Sequence, residues 1–94
     1  MKWQLVIPPK VQELLRKFPP QTKRYIRQAF LEIAKNPTES KPLKDELSGL
    51  HAFRVKNFRV VYKIDEPLRV VRVMAVGPRR TIYEDLTLSR REAA

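Results

Sequence analysis

Leu47 to Tyr83 reads LSGLHAFRVKNFRVVYKIDEPLRVVRVMAVGPRRTIY, three short apolar runs with arginines set into them at alternating positions. Successive side chains of a strand point to opposite faces, so alternation builds a sheet with two different surfaces. Phe53 and Val55 fall on one face and Arg54 and Lys56 on the other; Val60, Tyr62 and Ile64 oppose Arg59, Val61 and Lys63. The pattern predicts strands over 51–56, 58–64 and 69–76, with Asp65-Glu66-Pro67 turning between the last two. The first two are joined by a tight hairpin whose turn is either Lys56-Asn57 or Asn57-Phe58. Moving between these turns shifts the pairing by two residues, so Arg54 and Arg59 share a face in both registers. That sheet has an apolar face to bury and a second face that holds guanidinium groups toward something negatively charged.

Outward from this stretch, proline punctuates the N-terminal half. Trp3 to Ile7 is expected to be a strand stopped by Pro8-Pro9. Val11, Leu14, Leu15 and Phe18 then repeat at helical spacing, until Pro19-Pro20 ends that helix and starts another. Tyr25, Ile26, Ala29, Phe30 and Ile33 line one face of the second helix, which Asn36-Pro37 terminates. Residues 37–50 form a polar connection longer than the usual length of about four to six residues, a hint of function. Thr81 to Glu92 reads as a short C-terminal helix or tail. The order β-α-α-β-β-β predicts one α+β domain over residues 1–94, with two N-terminal helices packed on one face of a mainly antiparallel four-stranded sheet. The Arg54/Arg59 face is then turned away from those helices, covered at most by the C-terminal segment.

Twenty Lys and Arg stand against ten Asp and Glu, a formal net charge of +10. The excess divides evenly between the two halves of the chain, so it belongs to the folded body and points to a polyanionic partner. With no cysteine there is no disulfide or thiolate chemistry, and a single histidine, His51, argues against an imidazole zinc site. No metal and no cofactor are expected. The longest apolar run is too short for a signal peptide or a membrane span, so the expected location is the cytoplasm, with no membrane partner.

Familiar catalytic groupings are missing: no glycine-rich phosphate loop, no metal-ligand cluster and no Ser-His-Asp set. Glu84-Asp85 are adjacent and do not converge on a helix, which suits a solvated or capping pair. His51, Trp3 and Phe58 suit structural roles, and Arg69, Arg72, Arg90 and Arg91 suit plain surface charge. What remains near one sheet edge is Arg54, Lys56, Arg59, Arg79, Arg80 and Tyr83. Fixed guanidinium donors grip phosphate bidentately and stabilise charge that builds on it in a transition state. A tyrosine ring supplies a platform for a base. Such a set can promote attack of an RNA 2′-hydroxyl on its own phosphodiester; the same residues also fit surface strand charge shielding a sheet. Both readings are open on pattern alone.

The element order and the run Pro42-Leu43-Lys44 … Leu47-Ser48-Gly49 … Phe53-Arg54-Val55 … Phe58-Arg59-Val60-Val61-Tyr62 … Val76-Gly77-Pro78-Arg79 … Tyr83 resemble the RelE/ParE superfamily of bacterial and archaeal toxins, the RelE-like branch foremost. The resemblance covers essentially the whole chain. It implies the toxin of a type II toxin–antitoxin module: a ribosome-dependent mRNA endoribonuclease (an mRNA interferase) that blocks translation, neutralised by an acidic antitoxin protein. Carried over by position, it implies Arg54, Arg59, Arg79 and Tyr83 as catalytic residues. The arginines would serve the scissile phosphate and its leaving group, and Tyr83 would stack on or orient the substrate. Lys56, Lys63 and Arg80 would add RNA contacts. The alternatives are a ParE-like toxin that inhibits DNA gyrase by binding, or a non-catalytic RNA-binding domain. RelE-type sites often carry a further lysine two residues before the Arg54 position, where this chain has Ala52; Lys56 is the substitute if the hairpin shifts register. Related toxins with a glutamate base or a terminal histidine place them where this chain has Lys41 and Ile82, which excludes that variant.

Overall fold

Two proline pairs divide the N-terminal half in the computed structural model, which describes residues 3–93 and the side chains of residues 3–88. The side chains of Arg90 and Arg91 lie outside that range. Strand β1 (Gln4–Val6) stops before Pro8, and helix α1 (Pro9–Arg16) begins with a proline whose missing N–H has no intrahelical partner to lose. Helix α2 (Pro20–Lys35) starts in the same way and ends at Asn36, ahead of Pro37. Strands β2 (Lys41–Pro42), β3 (Leu50–Val55), β4 (Phe58–Asp65) and β5 (Val70–Pro78) follow, then helix α3 (Ile82–Ala93). Among the described residues no helix is long and apolar enough to cross a membrane.

The strands form one sheet in the order β1-β5-β4-β3-β2. β1 runs parallel to β5 and every other pair is antiparallel, so the α+β class stands. The sheet has five strands where four were expected. The added strand, β2, is two residues long and includes a proline, which is tolerated because β2 sits at the sheet edge. So short a run inside a polar connection carries no alternating pattern.

A second departure lies in β5. Val61 pairs with Ala75 but Tyr62 pairs with Val73, leaving Met74 as an extra residue in a bulge. Strict alternation would put Val76 on the face opposite Val71 and Val73. The bulge reverses parity, and all three pack with Val55, Val60 and Tyr62 against Val11, Ile26, Ala29, Phe30 and Ile33 of the helices. Leu14 and Tyr25, expected on the buried helical faces, stand at their rims and are more than a third exposed. Phe58 stacks at a tilt on Phe18, centroids 5.3 Å apart. Trp3 carries the Arg69 guanidinium 4.2 Å above its ring.

The opposite face holds a smaller core of Leu47, Leu50, Ala52, Val61 and Ile82, the last from α3. Gly77 makes this seat possible: a Cβ there would stand 2.9 Å from Ile82 Cδ1. On the helical side, the Tyr62 hydroxyl donates to the Pro37 carbonyl at 2.5 Å. The His51 ring stacks on Tyr62 at 5.5 Å, and its Nδ1 lies 3.2 Å from the Ser40 carbonyl. A carbonyl only accepts, so Nδ1 carries the proton. Together these bonds anchor the connection between α2 and β3, including the loop that reaches β2.

Tyr62→Phe leaves the Pro37 carbonyl without its donor and is expected to cost about 1–3 kcal/mol in a denaturant titration. Burial raises the Tyr62 phenol above its ordinary value of 10.0, an effect the Ser40 hydroxyl opposes in part. The fold therefore favours the protonated phenol. That stabilisation is complete below pH 10 and is lost as pH rises through the folded-state value, so the gap between wild type and Tyr62→Phe should narrow on the alkaline limb. Gly77→Val should overpack the Ile82 seat and cost about 1–3 kcal/mol by the same titration. Gly77→Ala should cost less, because the atom it meets is the mobile end of a side chain.

Candidate functional site: an arginine groove at the sheet edge

The hairpin between β3 and β4 turns on Lys56-Asn57, with Val55 opposite Phe58 and Arg54 directly opposite Arg59. Lys56 takes the left-handed backbone that this turn requires, at φ 55°. Cross-strand partners share a face, so the two guanidinium groups rise side by side on the face away from α1 and α2, as parity requires. Like charges directly opposite on a sheet are destabilising. The two side chains meet this differently. Arg54 is exposed, whereas Arg59 is 9% exposed and is the one buried charged side chain among the described residues. The Arg59 Nη1 donates to the Phe58 carbonyl at 2.8 Å and to the Lys56 carbonyl at 3.3 Å, which bends it over the hairpin turn.

Arg79 and Tyr83 arrive from the other side of β4. Gly77 of β5 pairs with Arg59, and two residues later the Arg79 N–H donates to the Asn57 carbonyl at 2.8 Å. This bond holds the end of β5 against the hairpin that carries Arg54 and Arg59. Ile82, seated over Gly77, fixes the start of α3, and Tyr83 follows it, partly buried against the cluster formed with Leu47, Leu50, Ala52 and Val61.

Arg54, Arg59, Arg79 and Tyr83 line one groove of about 870 Å³. The sequence-predicted catalytic set thus comes together, although its members come from β3, β4, the turn after β5 and α3. The predicted RNA contacts do not join it. Lys56 leans the other way, with its ammonium 5.0 Å from the centroid of the Tyr25 ring on α2. Lys63 is exposed on the Arg59 face but lies four residues further along β4, roughly 14 Å at about 3.4 Å per residue. Arg80 is exposed in the turn before α3 and does not line the groove. With Lys56 held at the turn by this register, it does not stand in for a lysine at Ala52.

The groove has a second wall that strand patterning does not reveal. Glu32 and Lys35 come from the end of α2, and Glu39, Ser40 and Lys41 from the loop that leads into β2. Asn36 Nδ2 donates to Glu39 Oε1 at 2.7 Å, and the Thr38 hydroxyl donates to Asn36 Oδ1 at 3.0 Å, so the carboxylate is held in place. The one sequence signal for this wall was the length of the 37–50 connection. Chemically, the groove offers guanidinium donors for a phosphate, an aromatic ring for a base and carboxylates facing them. Among the described residues no three His, Cys, Asp or Glu side chains gather as a metal site would require.

Comparison with known proteins bears on the family and the fold. Residues 7–83 match the family model of the ParE toxin of the type II toxin–antitoxin system parDE. The toxin–antitoxin complex RelBE2 from Mycobacterium tuberculosis contains a similar chain at 26% identity, with 84% of this chain and 100% of that one covered and a TM-score of 0.77. A double mutant of the Escherichia coli toxin RelE in the free state shares the fold at 18% identity, covering 97% of this chain and 98% of that one, also with a TM-score of 0.77. The YoeB–YefM complex from Staphylococcus aureus shares it at 18% identity, 81% and 95% coverage and a TM-score of 0.65. No curated protein matches at comparable strength. The match across residues 7–83 and the shared architecture establish that this chain belongs to the ParE toxin family of type II toxin–antitoxin systems, within the RelE/ParE superfamily.

Proposed function

We propose that this toxin is a ribosome-dependent endoribonuclease that cuts mRNA in the cytoplasm by 2′-hydroxyl attack. The observation that carries the reading is the convergence of Arg54, Arg59, Arg79 and Tyr83 on one groove. In the step itself the ribose 2′-oxygen bonds to phosphorus and the bond to the 5′-oxygen breaks, leaving a 2′,3′-cyclic phosphate and a 5′-hydroxyl. The 2′ proton passes to water and the departing 5′-oxygen takes one from water. Arg54 and Arg59 bind the non-bridging oxygens, whose charge grows in the transition state, and donors fixed beforehand need no reorganisation at that moment. Arg59 is already oriented by the turn carbonyls. Arg79 lies on the far side of the pair and stabilises the leaving oxygen, while Tyr83 stacks on a neighbouring base.

A second reading has its own support, because the family model that matches is that of ParE toxins. In it the same scaffold inhibits DNA gyrase by binding and performs no chemistry. Under either reading the partner is an acidic antitoxin segment, as RelB and YefM partner the toxins in the RelBE2 and YoeB complexes. The net charge of +10 suits an acidic segment that orders on binding.

Primer extension on ribosome-bound mRNA, run beside a gyrase supercoiling assay, separates the two. Cuts within codons with supercoiling intact are expected; blocked supercoiling with unimpaired translation would sink the nuclease reading. Arg79→Ala is expected to lower the cleavage rate by about 10²–10³, the scale for removing one fixed transition-state donor. Stability should separate the arginines as well. Arg54→Ala removes a like-charge neighbour and should stabilise the fold by about 0.2–1 kcal/mol at low salt, a gain that shrinks as salt is added. Arg59→Ala should instead cost about 1.5–3 kcal/mol, since it deletes two charge-assisted bonds to the hairpin turn. A denaturant titration of both variants measures this contrast.

A further inference from the structure

We propose that Lys41 joins the three arginines on the sheet face of the groove, binding a substrate phosphate across the stretch where Ala52 contributes no charge. The proposal builds on the RNA-cleaving reading above. Strand β2 pairs Lys41 with Ala52 and Pro42 with His51. Directly opposed residues of an antiparallel pair share a face, so Lys41 stands on the face of Ala52 and therefore on that of Arg54, two residues along β3. Diagonal neighbours of this kind lie about 7–8 Å apart, within reach of long side chains. Lys41 is exposed and lines the same groove as Arg54, Arg59 and Arg79. Ala52 also lines the groove, and its methyl group is apolar surface along which a lysine stem can lie with the ammonium in water.

An edge-strand lysine commonly serves to block edge-to-edge pairing. That purpose is weak here, because β2 is two residues long and ends in a proline that offers no N–H. Meanwhile a further positive charge beside three arginines costs self-repulsion, a cost that disappears when a polyanion enters. The base of the side chain is also fixed. The Pro37 carbonyl is held by Tyr62 and the Ser40 carbonyl by His51, and the Leu43 N–H donates to the Leu50 carbonyl at 2.9 Å. The other lysines are placed differently: Lys56 lies over Tyr25, and Lys35, which also lines the groove, does so from the last turn of α2, where it complements the helix dipole, and not from the sheet.

The test compares Lys41→Ala, Lys41→Arg and Lys44→Ala. Lys44 is an exposed lysine of the same connection that does not line the groove. The first readout is the salt dependence of binding to a single-stranded RNA oligonucleotide carrying 2′-O-methyl groups, which cannot be cut. Lys41→Ala should reduce the log–log slope by about 0.7, the loss of one phosphate contact, while Lys41→Arg and Lys44→Ala keep it. The second is cleavage of ribosome-bound mRNA, where Lys41→Ala should lose about 10²-fold and Lys41→Arg should recover most of it. An unchanged slope in Lys41→Ala, or an equal loss in Lys44→Ala, overturns the proposal and leaves the nuclease reading to stand on Arg79. A wild type that binds but never cuts overturns the nuclease reading, while the slope alone still decides whether Lys41 holds a phosphate.

Discussion

The site depends on a two-residue turn. Lys56-Asn57 closes the β3–β4 hairpin so that Arg54 meets Arg59 across the ladder, and a turn of any odd difference in length would send one of them into the helical core. The turn also supplies the carbonyl acceptors that orient Arg59 and the Asn57 carbonyl that holds Arg79. One short segment of backbone therefore sets the register of the arginines, the direction of one guanidinium and the position of a third. It does so with a lysine in a left-handed conformation, which costs about 1–2 kcal/mol relative to ordinary backbone.

Around that turn, motif residues that look interchangeable on paper have separate mechanical tasks. In Arg59-Val60-Val61-Tyr62, the arginine faces the groove, Val60 and Tyr62 face the helices and Val61 seats the smaller core. Tyr62 then reaches through to the Pro37 carbonyl and holds the far wall of the groove. In Val76-Gly77-Pro78-Arg79, glycine leaves the space that Ile82 fills, and that contact starts α3 where Tyr83 can line the site. Each motif couples one face of the sheet to the other. Like charges set close together in the groove are the accompanying cost, offset by the two apolar cores.

Composition and period went far with this chain. Proline pairs marked both helix starts, the 3.6-residue pattern located the buried faces of α1 and α2, and period-two alternation placed Arg54 and Arg59 together. These are local properties: a missing N–H, a side chain pointing to alternate faces and a helical repeat act over a few residues and leave a readable trace. Contacts between distant segments leave no such trace. The grouping of Arg79 and Tyr83 with the arginine pair rested on resemblance, and the groove that unites them is made by pairing between separate segments, such as Lys41 with Ala52 and Arg59 with Gly77.

Three things belonged to the tertiary structure alone. The Met74 bulge reverses the parity of β5, since an extra residue is visible only against its partner strand. Lys56 turns toward Tyr25 because a residue in a tight turn follows the turn backbone and not the face of the strand before it. The wall bearing Glu39 and Lys41 exists because β2 pairs with β3 over just two residues and hydrogen bonds from His51 and Tyr62 hold the loop in place. The sequence by itself therefore determined the fold class and the face on which the arginines stand, because both follow from local periodicity. Only the tertiary structure decided which cations share the groove, because that depends on register and on long-range hydrogen bonds that no local pattern encodes.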